Sequence, residues 1–283
     1  MKVSELMTRD VIVAKPNQNV AYVKKLMLKH DIRRVIIVDD HNRAIGIVTL
    51  KDLVSRSYKA SWRRRSSERV NIGRIMSTGL LTSKPEDEVT SVARRMVEND
   101  ISGIPVIDEK ELVGIITKFD LIRFHLDNFR GIPAREIMSE PITVTRYQSI
   151  RQVFELMEKG DASLIVVEEG RSPIGIITLE NLFFLKEDYL EETDTREIKF
   201  LRRVEKAGKA IWRDVREGKL TVEDLMTRNP TVYNLDSDSR DVAQKMVEEN
   251  LSGLPIVEND VLVGMVTKTD FVREIAKGVG LEG

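Results

Sequence analysis

The chain has 283 residues, a formal net charge of −1, no cysteine and 41% hydrophobic residues. This composition excludes disulfide and thiol chemistry, and its charge balance argues against a protein that binds nucleic acid with its whole surface. No apolar run approaches the roughly 18–20 residues of a membrane span, and the first ten residues lack the apolar core of a signal peptide. We therefore expect a cytoplasmic protein without a membrane segment, and its richness in Lys, Arg and Glu is typical of a thermophile.

The first unit, residues 1–57, has the pattern turn, strand, helix, strand, strand, helix. Pro16 precedes a helical pattern, and a proline is favourable at a helix start because its missing N–H is not needed there. The apolar residues of this helix share one face, being Val20, Val23, Leu26 and Met27. Strands are predicted at 35–38 and 44–48, separated by turn residues, and Thr49 opens the last helix.

One short phrase recurs four times, at residues 45–52, 112–120, 174–181 and 262–270. Each copy has an apolar run with a glycine, then a threonine, then an Asp or Asn three residues later. Such repetition indicates a protein built from similar units, none of which buries a sufficient core alone. Units 2, 3 and 4 are predicted at residues 70–126, 132–186 and 220–279.

The segment between units 3 and 4, residues 187–219, is the longest connection. Its apolar residues fall at helical spacing, among them Ile198, Leu201, Val204 and Ile211, so we predict a helical linker. Trp62 and Trp212 precede the opening methionine of the next unit at the same spacing. This coincidence indicates a duplicated module, in which unit 1 pairs with unit 2 and unit 3 with unit 4.

At this point the sequence resembles tandem cystathionine-β-synthase (CBS) domains over nearly its whole length. The resemblance is carried by three phrases: an opening methionine beside a polar residue, as in Leu6-Met7-Thr8; a middle strand, as in Ser102-Gly103-Ile104-Pro105-Val106; and the Gly-x-x-Thr-x-x-Asp close. It implies an α/β fold of four tandem βαββα units, paired into two Bateman modules. It also implies clefts that bind adenosine compounds: AMP, ADP, ATP, S-adenosylmethionine or sometimes NAD.

The Thr and Asp of the closing phrase have two interpretations. Spacing alone favours a capping box, in which Thr117 caps a helix and Asp120 returns a hydrogen bond to the backbone. The resemblance implies instead that Asp120 binds the ribose hydroxyls and that Thr117 offers its hydroxyl to phosphate. The two geometries are compatible, and in the repeat context we favour ligand binding. The same residues recur as Thr49 with Asp52, Thr267 with Asp270, and Thr178 with Asn181.

Unit 3 departs from the pattern, because Asn181 is an uncharged and therefore weaker partner for a hydroxyl. Its cleft is the one that we expect to be empty. By resemblance, the residues that line the adenine pockets are Ile104, Pro105, Thr143, Thr231, Leu254 and Pro255. Arg33 and Arg34 precede the middle strand of unit 1 and are either a solvated pair or a phosphate site, for which guanidinium groups are suited. Units 2 and 4 have Ser-Gly there, which predicts a less anionic ligand.

A second function class rests on residues 62–65, where Trp62 is followed by three arginines. A short charge run of this kind is usually a solvated linker, but it also suits nucleic acid or an acidic protein partner. An enzyme is the least favoured class. The sequence has no Walker loop, no Gly-x-Gly-x-x-Gly helix opening and no His cluster for a metal, and His30, His41 and His125 are scattered.

The favoured hypothesis is a cytoplasmic, non-enzymatic regulator that senses an adenosine ligand and requires no other cofactor. A protein partner and a homodimer are both compatible with it. The sequence leaves open whether the two modules pack within one chain or between two chains.

Overall fold

The computed structural model describes residues 1–58, 69–160, 162–183, 198–204, 210–215 and 220–278. Within them one order of elements recurs four times: a short helical turn, a short strand or bridge, a helix, a β-hairpin and a second helix. This order confirms the predicted α/β class and the four tandem βαββα units.

The bounds are as follows. Unit 1 contains α1 (Val3–Leu6), β1 (Val13–Ala14), α2 (Val20–His30), β2 (Arg34–Val38), β3 (Ala44–Thr49) and α3 (Leu50–Tyr58). Unit 2 contains a 3-10 turn (Ile72–Arg74), α4 (Val89–Glu98), β4 (Gly103–Asp108), β5 (Glu111–Thr117) and α5 (Lys118–Asn128). Unit 3 contains α6 (Ala134–Ile137), β6 (Thr143–Val144), α7 (Ile150–Lys159), β7 (Leu164–Glu169), β8 (Ser172–Thr178) and α8 (Leu179–Phe183). The remaining strands are β9 (Ile198–Val204) and β10 (Ala210–Val215). Unit 4 contains α9 (Val222–Leu225), β11 (Thr227–Arg228), β12 (Tyr233–Asn234), α10 (Ser239–Glu248), β13 (Gly253–Glu258), β14 (Val261–Thr267) and α11 (Lys268–Lys277).

The first long helix of each unit buries an apolar stripe. In α2, Val20, Val23 and Met27 are buried as predicted, and Leu26 is partly buried against the same core. In α4 the buried residues are Val89, Val92, Ala93 and Met96. In α7 they are Ile150, Val153, Phe154 and Met157. Residues at this spacing lie on one side of a helix, so each helix covers one face of its own hairpin with them.

The register of each hairpin determines where the closing threonine lies. The two strands are antiparallel, and Thr117 at the end of β5 is opposite Gly103 at the start of β4. Thr267 is likewise opposite Gly253, and Thr49 is opposite Arg34. The first residue of the middle strand and the threonine that opens the last helix are therefore neighbours in each of these units.

Backbone bonds between units confirm the predicted pairing into two modules. The Thr8 N–H donates to the Ile115 carbonyl, joining units 1 and 2, at 2.9 Å. The Ser139 N–H donates to the Met265 carbonyl, joining units 3 and 4, at 2.8 Å. The short strand β11 also pairs antiparallel with β8.

The two modules pack against each other through helices of the same chain. Helix α3 of unit 1 contacts α7 and α8 of unit 3, and one buried cluster runs through both units. Helix α11 of unit 4 contacts α4 and α5 of unit 2. The question that the sequence left open is thus answered for this structure, in which the modules pack within one chain.

The predicted helical linker is wrong for the part that the structure describes. β9 and β10 form a two-stranded antiparallel sheet, with Ala210 opposite Val204 and Val215 opposite Ile198. Two runs rich in β-branched and aromatic residues, separated by five residues that include Gly208, are also typical of a hairpin. Local strand propensity outweighs the helical spacing of the apolar residues here.

Candidate functional site

The closing threonine of each unit caps a helix, as the spacing predicts. In unit 2 the Asp120 Oδ2 accepts hydrogen bonds from the Thr117 backbone N–H at 2.8 Å and from its hydroxyl at 2.7 Å. Units 1 and 4 repeat this with Asp52 and Asp270. In unit 3 the amide oxygen of Asn181 takes the same position, 2.7 Å from the Thr178 nitrogen. The cap needs an acceptor oxygen rather than a charge, so Asn preserves it.

The cap uses one carboxylate oxygen and leaves the other for a further partner. The Asp120 Oδ1 lies 3.8 Å from the Arg123 Nη1, while the Asp270 Oδ1 accepts a hydrogen bond from the Arg273 Nη1 at 2.8 Å. Both aspartates are buried, and burial raises the pKa of each carboxyl above its ordinary value, although the hydrogen bonds from Thr117 and Thr267 oppose this. The second oxygen of each carboxylate faces an arginine side chain, directly bonded in Asp270 and more distant in Asp120, so the Asp120 Oδ1 is the more available acceptor for a hydroxyl group.

The capped helix starts meet at one cavity of about 1190 Å³, lined by residues of all four units. The structure brings most of the predicted ligand residues to its wall: Arg33, Arg34, Thr49, Asp52, Pro105, Thr117, Asp120, Thr178, Thr267 and Asp270. The predicted residues that are not part of this wall are Ile104, Thr143, Asn181, Thr231, Leu254 and Pro255. Their assignment to adenine pockets therefore stays a prediction.

Two of those residues have other surroundings. The Thr143 hydroxyl donates to the Glu168 Oε1 at 3.2 Å, and Thr231 is exposed at the surface. By contrast, Ile104 and Leu254 are buried in the cores of their units, in hairpins whose ends reach the cavity.

Arg33 and Arg34 diverge, although they are adjacent in sequence. The Arg33 Nε forms an ion pair with the Glu180 carboxylate of unit 3, and its Nη2 donates to the Asn250 carbonyl at 3.3 Å. The Arg34 Nη2 donates to the Ser102 hydroxyl of unit 2 at 2.9 Å. The premise that little charge lies beside the Ser-Gly of unit 2 therefore does not hold, because a guanidinium from unit 1 is placed there.

The cavity wall holds further basic residues that the sequence interpretation missed, namely Lys51, Lys118, Arg123, Lys268 and Arg273. Burial, followed by the charges of Arg34 and Arg273, lowers the pKa of Lys118 to about 8. Burial, followed by the charges of Arg33 and Arg34, lowers the pKa of Lys268 to about 6. The basic groups thus lower one another's pKa, although Glu180 and Asp31 oppose this at Lys268, and a bound anion favours the protonated form of both lysines. The signal was present in the sequence, since units 2 and 4 both read Thr-Lys-x-Asp.

His125 is a packing residue, as its isolation in the sequence predicts. Its ring is buried, stacks on Phe129 at a centroid distance of 4.9 Å and meets the edge of Phe271. His30 and His41 are exposed.

No cluster of three or more His, Asp or Glu in the described part of the chain is arranged to hold a metal ion. The basic residues 62–65 lie outside the described residues.

The family follows from four matches along the chain. The model of the CBS domain matches residues 3–59, 72–127, 134–187 and 222–277, which together make up most of the sequence. The chain belongs to the CBS domain family. Its four CBS units are the four structural repeats, and each match contains one Thr–Asp or Thr–Asn pair.

Similar proteins come from Methanocaldococcus jannaschii. The chain is 32% identical to the uncharacterized protein MJ1404 over 139 residues, which are 46% of this chain and 33% of that protein. It is 31% identical to the uncharacterized protein MJ1225 over 130 residues, which are 43% of this chain and 46% of that protein. These matches span less than half the length of either relative. The crystal structure of MJ1225 covers 98% of this chain and all of its own, with a TM-score of 0.79 and 17% identity. That structure shows the same fold.

None of the helices in the described ranges combines the length and the hydropathy of a membrane-spanning segment. The wall of the cavity is the candidate functional site because it brings together residues of all four units. It has four capped helix starts, buried carboxylates and a group of converging cations.

Proposed function

We propose that this CBS protein is a cytoplasmic regulator that binds adenosine phosphates at the helix starts around the cavity. One observation carries the proposal: the Thr–Asp pairs of units 1, 2 and 4 open onto one cavity that also holds Arg33, Arg34, Lys118 and Lys268. Hydroxyl acceptors beside phosphate donors suit a phosphorylated nucleoside. The resemblance to ligand-binding CBS domains gives the same class.

The ribose is assigned to the aspartates. In unit 2 the Oδ1 of Asp120 accepts from a ribose hydroxyl, while its Oδ2 continues to cap the helix. A shared role of this kind lets the ligand bind without breaking the cap. Asn181 supplies no charge at the corresponding place, so unit 3 is the site that we expect to be weakest.

The phosphate is assigned to the cations and to the N–H groups of the helix starts. A helix N-terminus favours negative charge, and guanidinium groups bind phosphate oxygens in pairs. A phosphate gains charge-assisted hydrogen bonds from these groups, whereas the sulfonium of S-adenosylmethionine does not. Among the adenosine compounds that the CBS resemblance suggests, we therefore favour AMP, ADP or ATP.

The regulatory role follows from where the ligand lies. All four units contribute to the cavity wall, so a bound ligand favours one arrangement of the two modules over others. It shifts that equilibrium only by its difference in affinity for the two states. The binding of a protein partner that recognises one arrangement then depends on the ligand concentration. We propose no catalytic step, and we leave a homodimer as a further assembly to be measured.

The test is thermal unfolding of the purified protein with AMP, ADP, ATP, adenosine, S-adenosylmethionine and NAD. A ligand at roughly 100 times its dissociation constant adds about 2.7 kcal/mol of apparent stability. We expect the largest shift with an adenosine phosphate, a smaller one with adenosine and the smallest with S-adenosylmethionine, and we expect Asp120→Ala and Asp270→Ala to reduce the shift. No shift with any compound, together with no nucleotide released from the denatured protein, rejects the proposal.

A further inference from the structure

Two lysines of the cavity each contact a residue of the module to which they do not belong. Lys118 is the first residue of α5 in unit 2, and its Nζ donates to the Thr269 hydroxyl of unit 4 at 3.0 Å. Lys268 is the first residue of α11 in unit 4, and its Nζ lies 4.8 Å from the ring centroid of Phe119 in unit 2. Thr269 and Phe119 hold equivalent positions, directly before Asp270 and Asp120. Each lysine thus reaches across the first turn of the other module's helix.

The surroundings of Lys118 indicate that an anion belongs beside it. The side chain is buried, with 7% of the residue exposed. Its hydrogen-bond partner in the described part of the chain is a neutral hydroxyl, whereas an ammonium offers three donors. The charge of Asp270 raises its pKa, against burial and the charges of Arg34 and Arg273. The hydrogen bond to Thr269, the residue directly before Asp270, places the ammonium beside the first turn of α11 in unit 4.

Lys268 is placed in the corresponding way on the other side. It shares the ring of Phe119 with Arg123, whose guanidinium carbon lies 4.9 Å from the same centroid. Burial and then the charges of Arg33 and Arg34 lower the pKa of Lys268, whereas the carboxylates of Glu180 and Asp31 raise it. Arg34 is also influenced by the charge of Asp120. Several cations therefore surround the first turn of α5, and one of them comes from the other module.

We propose that each lysine binds the phosphate of the ligand whose ribose is held by the other module. Lys268 serves the cleft of Asp120, and Lys118 serves the cleft of Asp270. This inference rests on the proposed function and adds its regulation. A phosphorylated ligand connects the two modules through a lysine, whereas adenosine, which has no phosphate, binds within one module. The protein thereby distinguishes the phosphorylation state of its ligand through the contact between its modules.

The experiment isolates one cleft at a time in the full-length chain. Asp52→Ala with Asp270→Ala leaves the Asp120 cleft, and Asp52→Ala with Asp120→Ala leaves the Asp270 cleft. Into each background we place Lys118→Met, Lys268→Met or the control Lys277→Met. Lys277 is a suitable control because it pairs with Glu274 at the exposed end of α11. The affinities for AMP and for adenosine are measured by isothermal titration calorimetry, and thermal unfolding without ligand verifies that each variant is folded.

We expect a crossed pattern. With the Asp120 cleft alone, Lys268→Met weakens AMP binding roughly 10- to 100-fold, the range of a lost charge-assisted hydrogen bond, while Lys118→Met has little effect. With the Asp270 cleft alone, the two variants exchange roles. Adenosine affinity is unchanged in both backgrounds, Lys277→Met changes neither ligand, and Lys→Arg at either position restores AMP binding.

Two results overturn the exchange while leaving the proposed function intact. One is an uncrossed pattern, in which each lysine affects the cleft of its own unit. The other is an equal loss of AMP and adenosine affinity, which indicates a purely structural role. If neither AMP nor adenosine binds the parent protein, the ligand assignment itself fails and the exchange fails with it.

Discussion

The sulfur of Met7 in unit 1 lies so close to Gly114 in unit 2 that a Cβ on Gly114 would be 2.5 Å from it. The equivalent contact is made in the opposite direction, because the Met76 sulfur of unit 2 lies against Gly46 of unit 1. Units 3 and 4 repeat the arrangement with Met138 against Gly264 and Met226 against Gly175. The opening methionine and the glycine of the closing phrase are therefore the two halves of one contact, which joins the units of a module.

This contact predicts a steric coupling between the two units. Gly114→Ala is expected to lower the free energy of unfolding by about 1–3 kcal/mol, because the added methyl group overlaps the Met7 sulfur and approaches the Thr8 carbonyl. Chemical denaturation measures the loss. In the double variant with Met7→Ala the combined loss is expected to be smaller than the sum by about 1 kcal/mol or more. Strict additivity would show that the two residues do not interact.

The burial of Asp120 predicts opposite effects of one substitution on stability and on binding. Asp120→Asn keeps the cap, as Asn181 does in unit 3, but removes the charge. Since the folded-state pKa of Asp120 is raised, the folded state binds a proton more readily than the unfolded state, and the ionised carboxylate destabilises the fold. That penalty is fully present above the raised pKa and disappears as the pH falls to the ordinary value.

The variant is therefore expected to be at least as stable as the parent at pH 7, with a flatter dependence of stability on pH above about 4, the ordinary pKa of an aspartate. Its affinity for AMP is expected to fall, since a neutral amide is the weaker partner for ribose. Denaturation across that pH range and calorimetry measure the two quantities. A large loss of stability at neutral pH would show that the charge, rather than the acceptor oxygen, maintains the helix start.

The buried ammonium of Lys118 predicts that Lys118→Met stabilises the ligand-free protein. The folded-state pKa of about 8 lies below the ordinary value of 10.5, so the unfolded state binds more protons between those values and stability rises with pH there. The penalty is thus complete below about pH 8. Removing it is expected to raise the free energy of unfolding at pH 7 by about 1–3 kcal/mol and to flatten the slope from pH 8 to 10.5. Lys277→Met, at an exposed position, should change neither, and a destabilised Lys118→Met protein would contradict the argument.

Because Glu180 of unit 3 forms an ion pair with Arg33, we expect it to compete with the ligand's phosphate for that guanidinium. Glu180 neutralises Arg33 across the module boundary, although both side chains remain partly exposed. Glu180→Gln is expected to release the guanidinium and to increase AMP affinity about two- to fivefold, the range of a partly exposed ion pair. Titration calorimetry measures this. Glu155→Gln, which removes an exposed pair with Arg151 on α7, is the matched control. An unchanged or weaker affinity in Glu180→Gln would mean that Arg33 supports the cavity only through that pair.

Local patterns predicted the units well because the forces behind them are local. The apolar stripe of α2 and the cap at Thr117 each depend on residues within a few positions of one another, and both are present as predicted. The hairpin in the linker was not predicted because a short apolar run is compatible with either a helix or a strand. Ile198, Leu201 and Val204 suit a helix by spacing, but their neighbours also suit a strand.

By itself, the sequence determined that the chain consists of four similar units, where their helices begin, and which carboxylates stand at those helix starts. Only the tertiary structure decided which cations accompany each carboxylate. Arg34 leaves its own unit for Ser102, Arg33 crosses to Glu180, and Lys118 crosses to Thr269. The physical reason is the length of the side chains. A threonine and an aspartate three residues apart meet within one helical turn, whereas a lysine or arginine side chain is long enough to reach another unit, and the packing of the modules determines which one.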